Sequence, residues 1–470
     1  MNVLPRPKLA FAEETSAEIF LHYRYTDGIE YPEVIRTFVD YADRVFGVVF
    51  TRGEGGIAVT TDEQLADGGY SIHFDGGEAE IRVKDGTALS YALASLLLLM
   101  EKNESGVKLP IITEWQDSPD GSWRGLMIDL ARRWHPVKYL YDAIDLCWLY
   151  KIDRLQLHFT DDQSYTLPCK AFPKLPTENR HYTYAELEAL RNYAAERHVT
   201  LVPEVDMPGH CSPFVQNYPE IFGSHGIICA EDKTFDALEK ILREVIEIFP
   251  DSPYIHLGGD EAAIDRWNHC EGCRAYMVEH GLENVHAVYA HFLQRVTDMV
   301  LAMGRTPVIW EGFSKEYNHL ISKKVIVVAW ESYYQLAPDL LEGGFTIFNC
   351  SWKPLYIVTP NTHWTPEEIF NWNIYTWQHW WPNSIASRQE IVVPATSPVL
   401  GGQICAWGDG MGNFPSNEEA CKTEFALIRP RLAALSEQTW NVLPERAITI
   451  EEFDAAYAHT ATVLNRMLRA

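Results

Sequence analysis

Residues 254–261 read Tyr254-Ile255-His256-Leu257-Gly258-Gly259-Asp260-Glu261, and the rest of the chain is organised around this stretch. The apolar content of residues 254–257 predicts a short buried strand. The two glycines that follow carry no side chains, so another group can approach closely where the strand ends. Two adjacent carboxylates repel each other, and burial would raise the pKa of at least one of them. One ionised and one protonated carboxylate is the arrangement that glycoside cleavage needs. The alternative is a solvated helix start with Asp260 as its N-cap.

The bulk composition of the 470-residue chain is that of a globular protein, with 47% hydrophobic and 22% charged residues. A net charge of -26 argues against nucleic acid or an anionic membrane surface as partner, and it suits a neutral ligand. No apolar run reaches the length of a membrane span, and Met1–Ser16 lacks the apolar core of a signal peptide. Nine cysteines cannot all pair within one chain, so we expect a cytoplasmic protein with mostly reduced thiols.

A change in composition near residue 115 predicts two domains. All fifteen tryptophans lie from Trp115 onward, and all nine cysteines lie from Cys147 onward. Before this point, the alternation over Glu78–Lys84 predicts a half-buried strand, and the apolar run Ala88–Met100 predicts a helix that lies across a sheet. We therefore predict a small α+β accessory domain over residues 1–115, without a catalytic site, and a catalytic domain over residues 116–470.

Short apolar strands alternate with helices throughout the second domain. The predicted strands are Gly125–Leu130, Leu155–Phe159, Thr200–Val205, Tyr254–Leu257, Pro307–Trp310, Val325–Trp330, Phe345–Asn349 and Gln403–Trp407. Eight strands separated by helices predict a (β/α)8 TIM barrel. A doubly wound open sheet is the alternative, but no glycine-rich dinucleotide fingerprint follows any of these strands.

Polar and aromatic side chains follow the predicted strands at the points where they end. They are Asp129, Arg132, Asp161, Asp162, Glu204, Asp206, His210, Asp260, Glu261, Trp310, Glu311, Trp330, Glu331, Trp407 and Asp409. In a barrel all of these strand ends converge on one face, where the active site lies. Their placement favours a catalytic role for the Asp260–Glu261 pair over a solvated helix start.

Five motifs, in this order along the chain, resemble family 20 glycoside hydrolases, the β-N-acetylhexosaminidases. They are Arg124–Arg132 (RGLMIDLAR), His158–Asp162 (HFTDD), Glu204–His210 (EVDMPGH), His256–Glu261 (HLGGDE) and Gly401–Trp407 (GGQICAW). The resemblance covers about residues 118–440, and the small domain before it looks like the usual N-terminal companion in that family.

The resemblance implies exo-acting hydrolysis of terminal β-linked GlcNAc or GalNAc by a retaining, substrate-assisted mechanism that needs no cofactor. In that mechanism the 2-acetamido oxygen of the substrate attacks the anomeric carbon and forms an oxazolinium intermediate. By the matched motif, Asp260 would orient the acetamido group and stabilise the charge on its nitrogen. Glu261 would protonate the leaving oxygen and then deprotonate water. Tyr356, in Ser351–Tyr356 (SWKPLY), would donate its hydroxyl to the acetamido oxygen.

The resemblance also assigns binding roles around the carboxylate pair. Arg132 would grip sugar hydroxyls, with a simple salt bridge to Asp129 as the alternative. Asp161 and His210 look like the relay to the general acid, with a purely structural histidine as the alternative. The residues expected to form the pocket walls, by stacking on the sugar and its acetamido methyl, are Trp310, Trp330 and Trp407.

Two positions depart from the family pattern. Asp409 stands where many relatives carry glutamate, and one methylene fewer changes the fit to the 4- and 6-hydroxyls. Ile357 and Val358 follow Tyr356, where an acidic residue is expected. Both departures concern the hydroxyls that distinguish gluco from galacto sugars, so the sequence assigns no preference between GlcNAc and GalNAc.

Two other classes of protein remain open from the sequence. A catalytically inactive barrel that binds amino sugars is one, although it would have no need of a proton donor beside an acetamido clamp. The other is a metal-dependent hydrolase, with its metal held by His158, Asp161, His210 and Asp260. Their spacing fits no common ligand motif.

Three cysteines near the carboxylate pair fall in neighbouring loops of the predicted barrel. Cys270 and Cys273 follow strand four, and Cys229 lies in the loop after strand three. With His269 or His280 as fourth ligand they would form a closed structural zinc site. Thiols that merely pack together are the alternative. A third possibility comes from the resemblance, because some family members tie these two loops with a disulfide.

Overall fold

A mixed sheet with two helices forms the first part of the chain, in a computed structural model that describes residues 2–104, 106–358, 364–410, 414–442 and 448–469. The strands are β1 (Leu9–Glu18), β2 (His22–Tyr25), β3 (Thr51–Arg52), β4 (Gly56–Thr61), β5 (Tyr70–Phe74), β6 (Glu78–Val83), β7 (Glu101–Lys102) and β8 (Val107–Asp117), and the helices are α1 (Pro32–Phe46) and α2 (Gly86–Leu99). The sheet order is β1-β8-β5-β6-β4-β2-β3, with β7 on β8. Strand β8 runs to Asp117, just beyond the predicted domain boundary.

A closed barrel of eight parallel strands follows. Its strands are β9 (Trp123–Asp129), β10 (Arg154–His158), β11 (Thr200–Glu204), β12 (Tyr254–His256), β13 (Thr306–Trp310), β14 (Ile326–Ala329), β15 (Thr346–Asn349) and β19 (Val399–Trp407). Each pairs with its neighbour in sequence, and β19 closes the barrel between β15 and β9. The eight predicted strands and the TIM barrel are therefore confirmed, and the open-sheet alternative is wrong.

Helices and short strands connect the barrel strands. The helices are α3 (Val137–Leu149), α4 (Tyr184–Ala195), α5 (Ser212–Asn217), α6 (Pro219–Phe222), α7 (Asp232–Ile248), α8 (Glu271–Glu279), α9 (Val285–Ala302), α10 (Ala337–Glu342), α11 (Trp352–Leu355), α12 (Pro366–Phe370), α13 (Asn417–Trp440) and α14 (Ile450–Met467); the short strands are β16 (Tyr356–Val358), β17 (Thr376–Trp377) and β18 (Ile391–Val392). Among the described residues, every helix is too short or too polar to cross a lipid bilayer.

The interface between the first sheet and the barrel is tightly packed. Helix α2 is almost entirely buried, because it contacts β5 and β6 on one side and α3 and α14 on the other. A buried polar cluster crosses the same interface, where Lys151 Nζ donates to Asp117 Oδ2 at 3.1 Å and to the Tyr70 hydroxyl at 2.7 Å. Since a buried ammonium is costly without partners, these contacts hold the two parts in one orientation.

Inside the barrel, a polar group lies between apolar layers. Trp123, at the start of β9, stacks on Phe348 with ring centroids 4.3 Å apart. Glu204, at the end of β11, is fully buried and accepts hydrogen bonds from Gln156 Nε2 at 2.7 Å and Trp310 Nε1 at 2.8 Å. This carboxylate fixes the orientation of Trp310, whose ring borders the carboxyl end of the barrel.

Candidate active site

The backbone between β12 and the carboxylate pair (Asp260 and Glu261) adopts a conformation that only glycine accommodates well. Gly258 and Gly259 have φ values of 65° and 99°. A Cβ on Gly258 would lie 1.7 Å from Asp206 Oδ1, and the same oxygen accepts a hydrogen bond from the Gly259 amide at 3.2 Å. This is the close approach that the two glycines predicted, and it fixes the direction in which the carboxylate pair leaves the strand.

The two members of the carboxylate pair lie in different environments. The Asp260 side chain is 10% exposed, and that of Glu261 is 55% exposed. Glu261 has a φ of 45°, a strained value for a residue with a side chain. Burial raises the pKa of Asp260 to about 6. The helix-start alternative is wrong, because the next helical segment is a 3-10 turn over Ile264–His269 whose N-cap is Ala263.

A line of polar groups connects Glu261 to the buried interior. His210 Nε2 lies 3.5 Å from Glu261 Oε2, and His210 Nδ1 lies 3.2 Å from Asp161 Oδ1. Asp161 Oδ2 lies 2.9 Å from His158 Nε2, and His158 Nδ1 lies 2.8 Å from Glu204 Oε2. The structure therefore brings His210 and Asp161 to the positions that a relay to Glu261 requires.

The charges along this line are strongly coupled. Burial opposes a charged histidine, but hydrogen bonds to Asp161 and Glu261 raise the pKa of His210 well above its usual value. The hydrogen bond from His210 in turn lowers the pKa of Glu261. In the unliganded protein the proton therefore lies on His210, and Glu261 is ionised.

Arg132 contacts three carboxylates at the edge of the site. Its Nη1 is 3.1 Å from Asp129 Oδ2, its Nη2 is 2.8 Å from Asp161 Oδ2, and its Nε is 3.7 Å from Asp409 Oδ1. The guanidinium also lies over the Trp407 ring, 4.9 Å from its centroid. Arg132 thus forms the salt bridge to Asp129 and, in addition, contacts that orient its guanidinium in the site. Asp409, beside Arg132, is half-exposed.

Four aromatic side chains, Trp310, Trp330, Tyr356 and Trp407, pack together at the carboxyl end of the barrel and are here called the aromatic wall. The rings of Trp330 and Tyr356 are parallel with centroids 6.1 Å apart, and Trp407 lies 5.9 Å from Trp310 and 5.8 Å from Tyr356. The three tryptophans predicted to line the pocket are therefore neighbours, and Tyr356 joins them through β16, which pairs with β19.

Several buried polar atoms of the site have no hydrogen-bond partner among the described residues, including Glu311 Oε2 and Trp407 Nε1. Two others are the acceptor Asp260 Oδ1 and the hydroxyl of Tyr356. Burial raises the pKa of the Tyr356 hydroxyl, and the nearby charge of Asp260 raises it further by a smaller amount. Buried polar groups are normally paired because an unpaired one costs free energy. One free acceptor and one free donor match the N–H and C=O of an amide.

Comparison with known proteins identifies the family of this chain. A model of the family described as glycosyl hydrolase family 20, catalytic domain, matches residues 122–442, which is more than half of the chain. The chain belongs to this family. It is therefore a glycoside hydrolase of family 20, as the motifs predicted.

Individual relatives of this family 20 chain have low sequence identity to it, but the alignments cover most of the chain. A β-hexosaminidase from Vibrio furnissii is 26% identical over 426 residues, which cover 82% of this chain and 67% of that protein. β-Hexosaminidase 3 from Arabidopsis thaliana is 26% identical over 482 aligned positions, covering 94% of this chain and 85% of the relative.

Solved structures show the same fold. The exo β-N-acetylglucosaminidase of Vibrio harveyi, in complex with N-acetylglucosamine, superposes with a TM-score of 0.82 at 21% identity, covering 99% of this chain and 77% of that one. The β-N-acetylhexosaminidase of Bacteroides fragilis gives a TM-score of 0.79 at 22% identity, covering 100% and 96% of the two chains.

Sequence reasoning gave no role to two further acids in the family 20 site. Burial raises the pKa of Glu311 to about 7. Burial also raises the pKa of Glu331 to about 8, and the negative charges of Glu311 and Glu261 raise it further. Glu311 Oε1 accepts hydrogen bonds from the backbone amides of Tyr334 and Gln335 at 2.9 and 2.8 Å, and so holds the loop after β14. Glu311 and Glu331 each follow a tryptophan at a strand end, and that repeated pair was the available signal.

The metal-dependent alternative is not supported by the described geometry. Three groups of potential ligands occur near the carboxylate pair: His158 with Glu204 and Asp206, Asp161 with Asp206 and His210, and His210 with Asp260 and Glu261. No group contains more than two of the four ligands that this alternative requires.

The thiols of Cys229, Cys270 and Cys273, here called the cysteine cluster, come together beside the site. Their sulfur atoms all lie within 4.8 Å of one another. The predicted fourth ligands are not part of this described group. His269 is exposed, and His280 packs instead on Tyr276, with ring centroids 4.1 Å apart. Neither histidine thus joins the three sulfurs within this distance, and the histidine ligand stays a prediction.

Proposed function

We propose that this family 20 enzyme is an exo-acting β-N-acetylhexosaminidase, which removes terminal β-linked GlcNAc or GalNAc from the non-reducing end of a glycan or glycoconjugate. The observation that carries the proposal is the pair of unpartnered buried atoms, Asp260 Oδ1 and the Tyr356 hydroxyl, beside the aromatic wall. An acetamido group bound there completes both hydrogen bonds, since its N–H donates to Asp260 and its carbonyl oxygen accepts from Tyr356. A plain sugar hydroxyl offers no such planar pair.

The first chemical step breaks the bond between the anomeric carbon and the leaving oxygen. The acetamido oxygen, positioned by Tyr356, forms a new bond to the anomeric carbon from the opposite face. Positive charge develops on the acetamido nitrogen, where the carboxylate of Asp260 stabilises it. Glu261 gives its proton to the departing oxygen.

The second step reverses these roles. Water transfers a proton to Glu261 while its oxygen attacks the anomeric carbon, and the bond to the acetamido oxygen breaks. Two successive inversions restore the β configuration, so the enzyme is a retaining hydrolase that uses the substrate's own group where others use a carboxylate nucleophile.

The relay explains how an ionised Glu261 becomes a proton donor. A bound sugar covers the half-exposed Glu261 carboxylate and removes water from it, which raises its pKa. The proton then passes from His210 Nε2 to Glu261 Oε2, which are 3.5 Å apart before substrate binds. Asp161 holds the other side of the histidine ring at 3.2 Å, so the ring stays oriented toward Glu261.

Exo-action follows from charged groups at the edge of the pocket. Arg132, held by Asp129 and Asp161, points its remaining donor toward Asp409. The free hydroxyls of a terminal, non-reducing sugar can form hydrogen bonds with these charged groups. A sugar that carries a further substituent on these hydroxyls would collide with Arg132 and Asp409. Asp409 stands where the family resemblance implies a longer glutamate, so both GlcNAc and GalNAc remain candidate substrates.

A cytoplasmic location is part of the proposal. All nine cysteines are free thiols in the structure. Free thiols persist in a reducing compartment, whereas secreted proteins of this kind more often carry disulfides.

We expect kcat/KM to decrease as the pH is lowered through an apparent pKa near 6. Burial raises the pKa of Asp260 to about 6. The ionised carboxylate is the form that accepts the acetamido N–H, so activity is present above this pKa and is lost as pH falls through it. The pH profile of kcat/KM, which reports the free enzyme, checks this. A flat profile between pH 5 and 7, about one unit either side of that value, would contradict it.

Three 4-nitrophenyl glycosides, β-GlcNAc, β-GalNAc and β-glucoside, test the proposed substrate class. We expect turnover of at least one N-acetyl sugar, and a kcat/KM for the glucoside that is lower by about 10³-fold or more, because the glucoside lacks the internal nucleophile. Rapid cleavage of the glucoside would refute substrate assistance. Tight binding of GlcNAc without turnover of either N-acetyl sugar would favour the inactive binding barrel instead.

A further inference from the structure

The cysteine cluster lies outside the reacting groups and joins two loops at the carboxyl end of the barrel. Cys229 belongs to the segment between α6 and α7, Cys270 is the N-cap of α8, and Cys273 lies in the first turn of that helix. All three side chains are buried. The Sγ atoms of Cys229 and Cys270 are 3.4 Å apart, and neither cysteine is in a disulfide. Three buried thiols that converge in this way have the donor set of a structural zinc site.

The spacing of the sulfur atoms agrees with zinc coordination. In a tetrahedral site with Zn–S bonds of about 2.3 Å, two sulfurs lie about 3.8 Å apart. In the cysteine cluster, the sulfur atoms of Cys229 and Cys270 are 3.4 Å apart, and no pair of sulfurs is more than 4.8 Å apart. The separation of each pair of sulfurs therefore needs to change by no more than about 1 Å for all three to reach one ion.

A carboxylate that approaches one of the three thiols is the candidate for the fourth ligand. Glu231 Oε1 lies 4.0 Å from Cys270 Sγ, and a Cβ on Gly272 would come within 2.1 Å of the same oxygen. Residue 272 must therefore be glycine for Glu231 to reach the cluster. The other oxygen, Glu231 Oε2, is 2.9 Å from Lys233 Nζ, which leaves Oε1 directed at the cysteines.

Two of the cysteines lie where helix α8 begins. Helix α8 runs over Glu271–Glu279, so Cys270 and Cys273 lie at its N-terminus. The positive end of a helix dipole stabilises a thiolate, which is the form that binds zinc. Each thiol that coordinates the ion loses its proton to solvent, so binding is accompanied by proton release.

We propose that Cys229, Cys270 and Cys273 bind one structural zinc ion, with Glu231 as the fourth ligand. The ion joins the loop after β11 to the loop that begins with the carboxylate pair. Hydrogen bonds already connect these loops, from Trp267 Nε1 to Ile228 O at 3.0 Å and from Arg266 Nη1 to Gly226 O at 2.9 Å. The zinc takes no part in bond cleavage, and its role is to hold the segment that follows Glu261.

Metal analysis of the full chain tests this proposal directly. The protein is purified under reducing conditions without chelator and without added zinc, and its zinc content is measured by mass spectrometry. We expect about one equivalent per chain, and less than about a tenth of an equivalent would overturn the proposal. The double variant Cys229→Ser/Cys273→Ser is expected to lose the metal. The matched control Cys147→Ala, a buried cysteine of α3, is expected to retain it.

Cobalt substitution and thiol counting keep the test decisive if the double variant folds poorly. Co²⁺ bound to the unmutated chain is expected to show intense thiolate-to-cobalt charge-transfer absorption, which zinc displaces. Absence of that absorption in folded, cobalt-loaded protein would refute thiolate ligation. A finding of two thiols fewer than nine in the protein as purified would indicate a disulfide in place of the metal site.

Discussion

Replacing Glu261 with glutamine is expected to slow the hydrolysis of N-acetylglucosaminides with sugar or alkyl leaving groups by about 10³-fold, and that of activated phenyl glycosides by much less. Poor leaving groups need a proton as the bond breaks, whereas activated phenolates depart without one. Glu261 is the carboxylate that His210 approaches to 3.5 Å, so it is the group that can be re-protonated.

The measurement for Glu261→Gln is kcat/KM across a series of aryl glycosides, plotted against the pKa of the leaving group. We expect the plot to be steeper for the variant than for the unmutated enzyme. Glu279→Gln is the matched control, because it removes the same charge from an exposed position on α8 and should leave every rate unchanged. A uniform loss across the series would mean that Glu261 does not protonate the leaving group.

Replacing Asp260 with asparagine is expected to slow all members of the same series by a similar factor, about 10²- to 10³-fold. Asp260 acts on the acetamido nitrogen, so its contribution does not depend on the identity of the leaving group. The neutral amide also lacks the charge that stabilises the oxazolinium ion. The acid limb of the pH profile near 6, which reports Asp260, should disappear in this variant.

The control for Asp260→Asn is Asp265→Asn, an exposed carboxylate in the 3-10 turn that follows the carboxylate pair. It should leave both the rates and the pH profile unchanged. If Asp260→Asn and Glu261→Gln gave the same dependence on leaving-group pKa, the separate roles assigned to the two carboxylates would be wrong.

The sequence predicted the architecture well because the signals for a barrel are local and repeated. Each strand is a short apolar run, and the chemistry-bearing residue comes directly after it, as Asp260 does after β12. Parallel closure then requires all such residues to meet at one face. The family motifs for Arg132, Asp161 and His210 could thus be placed together before any distance was known.

What the sequence could not supply are quantities that depend on three-dimensional distance. The lowered pKa of Glu261 follows from the position of His210, which comes from a different strand end. The missing partner of Tyr356 is visible only once every neighbour is in place. Spacing along the chain likewise does not show that His280 packs against Tyr276 and His291.

The central claim, that the substrate's acetamido oxygen is the nucleophile, is tested most directly by weakening that oxygen alone. Aryl β-glucosaminides whose N-acyl methyl carries zero, one, two or three fluorines keep the same leaving group and nearly the same shape. Each fluorine withdraws electrons from the carbonyl oxygen, so we predict that kcat/KM falls steeply and progressively along the series. Rates that do not change with fluorination would contradict the account and would point to a nucleophile supplied by the protein.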